Sequence, residues 1–280
     1  MRVIQLSDLH LGPTDHPWSG AANRTAWDNA ERTAARLRAE PDADDLVIVI
    51  TGDLTDAGHM NPDEFGPAAQ WLRTLPGTVY VVPGNHDVGN FVSSRSTPTV
   101  SERYVAQWHE HVGPDRFAHA ADGHRLLGLN AMLLGSGLPP EAEQESWLRE
   151  QLDTAEAAGE SVWVFQHTPL FLRGPGEVRE PREHYWCPAA TARDAMLALL
   201  DRPDFRGVFH GHVHRRFDHQ VGGRVYRACP ALSGTHSEAD YFARDGSDHL
   251  HQFSELSLTN GRADVRWRDS GIETKIRFVS

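Results

Sequence analysis

The sequence predicts an α/β fold, and two patterns of apolar residues lead to that prediction. Short runs rich in Val, Ile, Leu and Phe alternate with longer amphipathic segments up to residue 205, which is typical of strands and helices in turn. Beyond residue 205 the apolar runs become closely spaced, with turn residues between them, which indicates successive strands. We therefore expect one domain over residues 1–280.

The first five predicted strands are short and bounded by turn residues. Because they are apolar along their whole length rather than at alternate positions, we expect both of their faces to be covered. They comprise residues 3–6, 46–50, 79–82, 162–165 and 208–209.

Amphipathic helices are predicted between these strands. In residues 24–38, Trp27, Ala30, Ala34 and Leu37 recur at helical spacing, and Pro41 ends the pattern. Further helices are predicted at 64–74, 143–158 and 189–201. Each would connect two strands and cover one face of a sheet.

The last part of the chain, 222–280, is predicted to be rich in strands. Closely spaced strands are expected at 208–210, 224–228, 250–258, 263–268 and 275–279. Asn260-Gly261 lies between two of them and favours a hairpin. Two long segments, 88–124 with a helix carrying Trp108, and 171–188, are expected to be insertions that face the substrate.

Composition and charge narrow the class of protein. Hydrophobic residues make up 39% and charged residues 24% of the chain, as in globular proteins, and no apolar run approaches the roughly 18 residues of a membrane helix. Residues 1–6 enter the first strand directly, so we expect no cleaved leader and a cytoplasmic protein. Cys187 and Cys229 lack paired spacing, which favours free thiols. A net charge of −12 disfavours binding of long nucleic acids.

Five polar motifs follow the five apolar runs, and their side chains are of the types that bind metal ions. Carboxylates, imidazoles and an amide oxygen together suit a pair of divalent cations such as Mn, Fe, Zn, Co or Ni. Two such cations about 3.5–4 Å apart can hold the attacking and leaving oxygens of a phosphoryl displacement. The motifs are Asp8-x-His10, Gly52-Asp53, Gly84-Asn85-His86-Asp87, His167 and Gly211-His212-x-His214.

Taken singly, these motifs also fit ordinary structural roles. Asp8 and Asp53 are common turn and capping residues. A strand-to-helix turn has no comparable use for His86, and the two histidines of 211–214 point the same way on an extended segment. The joint occurrence of all five motifs, each after a predicted strand, favours a two-metal site.

The motifs from Asp8 to His214 resemble those of the calcineurin-like metallophosphoesterases. The resemblance implies a four-layer α/β/β/α sandwich, in which two mixed β-sheets are flanked by helices. It implies that Asp53 bridges two divalent metal ions, with three further ligands on each. The implied first-metal ligands are Asp8, His10 and His214, and the implied second-metal ligands are Asn85, His167 and His212. The resemblance also implies that His86 is a general acid or transition-state stabiliser, oriented by the carboxylate of Asp56.

Segments 7–12, 51–56 and 82–87 are most similar to the bacterial branch that includes cyclic-nucleotide phosphodiesterases. That resemblance implies hydrolysis of a small phosphodiester, such as a cyclic nucleotide or glycerophosphodiester, by attack of a metal-bridging hydroxide. Residues 166–169 read Gln-His-Thr-Pro where this branch has His-His-Pro-Pro, so a phosphatase acting on a small molecule or phosphoprotein stays an alternative. A non-catalytic scaffold and a nuclease are disfavoured by the full ligand set and by the acidic charge.

Four residues are candidates for contact with substrate. His59 lies in a glycine-containing loop after Asp53, and His184, Tyr185 and Trp186 lie in the second insertion. Tyr185 and Trp186 would form an apolar wall for a base or alkyl group, or else pack at the edge of the core. Four arginines are expected to border the site, namely Arg24, Arg95, Arg173 and Arg179.

Overall fold

Two β-sheets and the helices that pack on them make up the part of the chain that the computed structural model describes, residues 1–17, 19–94, 97–178, 180–234 and 252–269. The elements of the first half are β1 (Arg2–Leu6), α1 (Gly20–Arg38), β2 (Val47–Thr51), α2 (Phe65–Leu72), β3 (Thr78–Val82), α3 (Asn85–Val88), α4 (Glu102–His111), β4 (Phe117–Ala121) and β5 (His124–Leu129). Those of the second half are α5 (Pro139–Ala158), β6 (Ser161–Gln166), α6 (Ala190–Leu199), β7 (Phe205–His210), β8 (Phe217–Val221), β9 (Arg224–Ala228), β10 (Gln252–Thr259) and β11 (Arg262–Asp269).

Each sheet combines parallel and antiparallel strands. The first has the order β11-β10-β1-β2-β3, in which β1, β2 and β3 are parallel and β10 and β11 are antiparallel to their neighbours. The second has the order β4-β5-β6-β7-β9-β8, in which only the two outer pairs are antiparallel. This arrangement confirms the predicted α/β class with two mixed sheets.

The apolar strands serve two cores because successive side chains point to opposite faces. In β2, Val49 belongs to the cluster between the sheets, whereas Ile48 and Ile50 belong to the cluster that includes the helices. In β6, Trp163 faces the other sheet and Val164 faces the helices. Burial on both faces explains why these strands lack polar alternation, and it produces the predicted sandwich.

The predicted helices are present with shifted ends. The helix predicted at 24–38 begins at Gly20, and that predicted at 143–158 begins at Pro139, where a proline at the first turn is favourable. Gly159 ends α5 in the left-handed conformation, with φ 67°. Within the described ranges, no helix combines the length and the apolarity that crossing a membrane requires.

The sequence did not predict the strands β4, β5 and β8. β4 and β5 form an antiparallel hairpin around Asp122 and Gly123, which both have positive φ, as a type I′ turn requires. The strand β4 therefore places part of the expected 88–124 insertion at the edge of the second sheet. The substrate-facing role of 88–124 and 171–188 stays a prediction, and the strand predicted at 275–279 lies outside the described residues.

The hairpin predicted around Asn260-Gly261 joins β10 and β11, and charged side chains attach it to the first sheet. Arg2 of β1 donates to Glu255 of β10 at 3.0 Å and to Glu40 at 3.1 Å. Arg268 of β11 donates to Glu255 at 2.9 Å and to Glu40 at 2.5 Å. These partly buried ion pairs connect the end of α1 to two strands that are distant from it in sequence.

Candidate metal centre

The predicted ligands come from both sheets and meet at the carboxyl ends of parallel strands, the edge where α/β sheets usually bind ligands. The first sheet supplies ligands after β1, β2 and β3, and the second supplies them after β6 and β7. The chain ends of neighbouring parallel strands lie side by side, so ligands distant in sequence converge. The side chains brought together in this way are Asp8, His10, Asp53, Asn85, His167, His212 and His214.

One group of possible ligand atoms comes from Asp8, His10, Asp53 and His214, all within 4.8 Å of one another. His10 Nε2 lies 3.2 Å from His214 Nε2, and His214 Nε2 lies 3.2 Å from Asp8 Oδ1. All four side chains are buried or nearly so.

A second group of possible ligand atoms comes from Asp53, His167 and His212, and these atoms also lie within 4.8 Å of one another. Asn85 joins it, because its Oδ1 lies 3.0 Å from His167 Nε2. Asp53 belongs to both groups through a single atom, since its Oδ2 is 3.6 Å from His10 Nε2 and 3.3 Å from His167 Nε2. Its other oxygen accepts a hydrogen bond from the His86 main-chain N–H at 2.9 Å.

The backbone is strained where it presents these side chains. Among the described residues, seven residues other than glycine have positive φ, and five of them are predicted ligands. A left-handed conformation is uncommon for side-chain-bearing residues and persists where the surrounding structure enforces it. The five are Asp8, His10, Asp53, His212 and His214, with φ between 49° and 69°.

Two glycines of the motifs are required by close packing around the site. A Cβ atom on Gly84 would overlap the Asp53 carboxylate and main-chain nitrogen. A Cβ atom on Gly211 would overlap Ser7 Oγ and Asp8 Oδ2. The glycines therefore let neighbouring loops approach until the ligands of the two sheets meet.

Main-chain carbonyls determine the tautomers of His167 and His212. His167 Nδ1 lies 2.8 Å from the Thr51 carbonyl, so Nδ1–H donates there and Nε2 faces Asp53. His212 Nε2 lies 3.2 Å from the Tyr185 carbonyl, which leaves Nδ1 as its ligand nitrogen. Such outer contacts fix the tautomer and ring orientation of metal-binding histidines.

The carboxylates of Asp8 and Asp53 are anionic despite their burial. Burial raises the pKa of Asp8, but the charge and hydrogen bond of His214 outweigh it and lower that pKa to about 2. Burial likewise raises the pKa of Asp53, and the charges of His167 and His86 bring it well below its ordinary value. The site therefore presents negative oxygen atoms.

The imidazoles of the site differ in their protonation at neutral pH. Burial lowers the pKa of His10 and of His212 to about 3, so both present a lone pair at neutral pH. Burial also lowers the pKa of His167, but the Asp53 carboxylate outweighs it and raises the value to about 9. A cation that bound between His167 and Asp53 would displace that proton. Anionic oxygens and neutral nitrogens converging on shared points form a donor set that fits two divalent cations.

His86 lies beside the first group of ligand atoms, with its ring edge-on to His10 at 4.7 Å. Its Nδ1 is 2.5 Å from the main-chain carbonyl of Asp56. The sequence led us to expect orientation by the Asp56 carboxylate, and the contact instead uses the carbonyl. The carboxylate is nevertheless close, because one of its oxygens lies within 4.8 Å of nitrogen atoms of His10 and His86.

Asp87, for which sequence patterns predict no role, is buried and connects two loops of the site. Its Oδ2 accepts from Leu54 N at 3.1 Å and Gly84 N at 2.8 Å, and its Oδ1 accepts from Thr55 N at 2.9 Å and Thr55 Oγ1 at 2.7 Å. Burial and the Asp53 charge raise the pKa of Asp87 to about 6, so the carboxylate is ionised above that pH. Asp87 is the third residue of the short helix α3, and its bond to Gly84 N satisfies the main-chain N–H that precedes the helix.

The candidate substrate residues occupy different surroundings. His59 is buried, and its Nδ1 lies 2.7 Å from the His86 carbonyl. The side chain of His184 is exposed. Tyr185 and Trp186 both lie against His212, with ring centroids 5.3 and 5.0 Å from it. Substrate contact by these four residues stays a prediction.

The arginines expected near the site have other partners where the structure describes them. Arg24 donates to the Thr14 carbonyl at 2.5 Å, and Arg173 binds the Glu183 carboxylate at 2.5 Å. Arg95 and Arg179 lie outside the described residues.

Comparison with known families decides the assignment. Residues 1–216, which include all seven predicted ligands, match the family model described as calcineurin-like phosphoesterase. The chain belongs to the calcineurin-like phosphoesterase family. On its two-sheet scaffold this member of the family carries a cluster of side chains that could hold metal ions.

Curated relatives of this calcineurin-like phosphoesterase fall into two groups. It is 33% identical over 177 residues to the serine/threonine-protein phosphatase CPPED1 of Danio rerio, covering 60% of this chain and 53% of that protein. The chain thus spans about half the length of that relative. It is 27% identical over 275 residues to the glycerophosphodiester phosphodiesterase GpdQ of Enterobacter lignolyticus, covering 95% of this chain and 89% of that protein.

Solved structures support the same fold. A dimetal phosphatase from Danio rerio superimposes with a TM-score of 0.61 at 18% identity, covering 96% of both chains. A purple acid phosphatase from Lupinus luteus superimposes with a TM-score of 0.63 at 12% identity, covering 96% of this chain and 51% of the other. At these identities the likeness concerns the fold alone, and it confirms the sandwich predicted from the motifs.

Proposed function

We propose that the chain is a metal-dependent phosphoesterase that hydrolyses a small phosphodiester. The observation that carries the proposal is Asp53 Oδ2, a single carboxylate oxygen that faces His10 on one side and His167 on the other. A carboxylate in this position is suited to bridge two cations. When bound, two divalent cations would polarise the phosphoryl oxygens and supply an activated water. The first would be held by Asp8, His10 and His214, the second by Asn85, His167 and His212.

His86 is the proposed general acid. Its Nδ1–H donates to the Asp56 carbonyl, and its main-chain N–H donates to Asp53 Oδ1. These two bonds fix the ring beside the ligand cluster and leave Nε2 as the nitrogen that can approach a substrate oxygen. Nε2 would give its proton to the leaving oxygen when the phosphorus–oxygen bond breaks.

The relatives support two substrate classes. GpdQ, named a glycerophosphodiester phosphodiesterase, aligns with 95% of this chain, which favours a diester such as a glycerophosphodiester or cyclic nucleotide. CPPED1, named a protein phosphatase, is more identical over a shorter alignment, and this favours a monoester as the second candidate. The net charge of −12 argues against long nucleic acids as substrates. The presence of all seven ligands disfavours a non-catalytic scaffold.

The ratio of two hydrolysis rates tests the proposal. Metal-stripped protein reloaded with Mn²⁺ would be assayed on bis(p-nitrophenyl) phosphate and p-nitrophenyl phosphate, with His86→Ala as the blank. We expect faster cleavage of the diester. Preference for the monoester would make the protein a phosphatase, and absence of both activities in the metal-loaded protein would contradict an enzymatic function.

A further inference from the structure

Tyr185 lies against two ligands that we assign to the second metal. It ends the 3-10 turn Pro181–Tyr185, and its hydroxyl accepts a hydrogen bond from Asn85 Nδ2 at 3.1 Å. Its main-chain carbonyl accepts from His212 Nε2 at 3.2 Å. Its ring stacks on the His212 imidazole, with centroids 5.3 Å apart and an interplanar angle of 29°.

Each of these contacts determines how a ligand is presented. An amide side chain can point either its oxygen or its nitrogen toward a cation, and only the oxygen can bind it. Because the Tyr185 hydroxyl holds Asn85 Nδ2, Asn85 Oδ1 is turned toward His167 Nε2, 3.0 Å away. Because the Tyr185 carbonyl holds the proton of His212 on Nε2, the lone pair of His212 is on Nδ1. A single residue thus orients two of the three ligands that belong to the second metal alone.

The segment that carries Tyr185 is itself fixed by an ion pair in which the carboxylate is buried. Arg173 donates to both oxygens of the Glu183 carboxylate, at 2.5 and 3.0 Å, and Glu183 is 3% exposed. Asn90, which follows α3, donates to the Tyr185 carbonyl at 3.3 Å. The main chain at Tyr185 is therefore held in place from outside the ligand cluster rather than by the ligands alone.

We propose that Tyr185 is a positioning residue that sets the affinity of the second metal site. The inference rests on the proposed function, because it assumes two bound cations. Both ligands that Tyr185 contacts belong to the second site, so loss of its hydroxyl should weaken that site and leave the first site unchanged. An apolar wall for substrate would require no such effect on metal binding.

Tyr185→Phe removes the hydroxyl and keeps the stacked ring. Metal-stripped wild type and variant would be titrated with Mn²⁺, with calorimetry to obtain two Kd values and electron paramagnetic resonance to detect the coupled Mn pair. We expect the second Kd to rise about 10–100-fold, the usual effect of losing an outer partner of a metal ligand, and the first Kd to stay the same. Tyr226→Phe is the matched control, because Tyr226 is buried against Phe171 and Phe205 in the core.

The outcomes separate this inference from the proposed function. Two Mn²⁺ ions in wild type with an unchanged second Kd in Tyr185→Phe would overturn the inference and leave the proposed function standing. An equal loss at both sites, or an equal loss in Tyr226→Phe, would also overturn it, because the effect would then be a general loosening of the fold. Fewer than two Mn²⁺ ions in wild type would overturn both.

Discussion

Replacing Asp87 by Asn tests how firmly the metal-site loops are held. Each carboxylate oxygen accepts two hydrogen bonds, Oδ2 from Leu54 N and Gly84 N, and Oδ1 from Thr55 N and Thr55 Oγ1. The amide of Asn retains one oxygen and replaces the other by an NH₂ group. When the NH₂ group faces Leu54 N and Gly84 N, both donors lose their acceptor. When it faces Thr55, the Thr55 hydroxyl can accept from it, and only Thr55 N loses its acceptor.

The expected loss of stability follows from that count. A buried donor left without its acceptor costs about 1–3 kcal/mol, so losing one or two acceptors would cost about 1–6 kcal/mol. The neutral amide also removes the cost of burying a charge beside Asp53, which is the cause of the raised pKa of Asp87, so we expect a net fall of about 1–3 kcal/mol in the free energy of unfolding. For a chain of this size, the fall in Tm should be at least about 2 °C.

Urea unfolding followed by tryptophan fluorescence would measure the loss. The experiment belongs at pH 8, because the pKa of Asp87 is about 6 and its carboxylate is then ionised. Asp28→Asn, at an exposed position of α1, is the control and should change stability by less than about 0.5 kcal/mol. The loss in Asp87→Asn should persist in excess chelator, since the lost bonds lie within the protein. A loss below about 1 kcal/mol, or one confined to metal-loaded protein, would show that these hydrogen bonds do not hold the loops.

Three further predictions concern the site and the C-terminal hairpin. His86→Ala should keep both metals, measured by metal analysis, and lower kcat about 10²–10⁴-fold on bis(p-nitrophenyl) phosphate; loss of metal would contradict its role as an acid. Asp53→Asn should lose both metals in the same analysis, because one of its oxygens faces both sites, and a fully loaded variant would exclude bridging. Burial raises the pKa of Glu255, but Arg2 and Arg268 outweigh it and hold the folded pKa below 4.5. Its stabilising effect should therefore be full above pH 4.5 and disappear as the pH falls through the lower folded value, so Glu255→Gln should be less stable than wild type at pH 7 and converge with it in acid unfolding; a constant difference would contradict this.

The sequence predicted which side chains come together at the site because their positions follow from simple geometry. A strand buried on both faces is apolar throughout, so its end is visible, and the first polar side chains after parallel neighbours must meet. Asp8 after β1 and His167 after β6 are both found in this way. The strand β4 was missed because 117–121 reads Phe-Ala-His-Ala-Ala, which has little strand propensity, although Asp122-Gly123 was a readable turn signal.

Sequence patterns did not predict contacts between distant segments. Tyr185 and Asn85 are separated by 100 positions, and no local signal indicates that a hydroxyl meets an amide. The contact of His86 with the carbonyl rather than the carboxylate of Asp56 depends on the course of the loop after β2. Side-chain type and spacing therefore located the site, whereas the partners that orient its ligands required the folded chain.

The arrangement of the site explains why such partners matter. Five predicted ligands lie in left-handed conformations, each of which costs about 1–3 kcal/mol. Asp8 and Asp53 are buried together, and the charge of Asp53 raises the pKa of both Asp8 and Asp87. Such an arrangement is unfavourable for the loops alone, so the surrounding fold must enforce it. Asp87 holds the loop that carries Asp53 by accepting hydrogen bonds from Leu54 N and Thr55 N. Tyr185 holds Asn85 and His212. We infer that Asp87 and Tyr185 act on the metal centre indirectly, through the loop and the ligands that they hold in place.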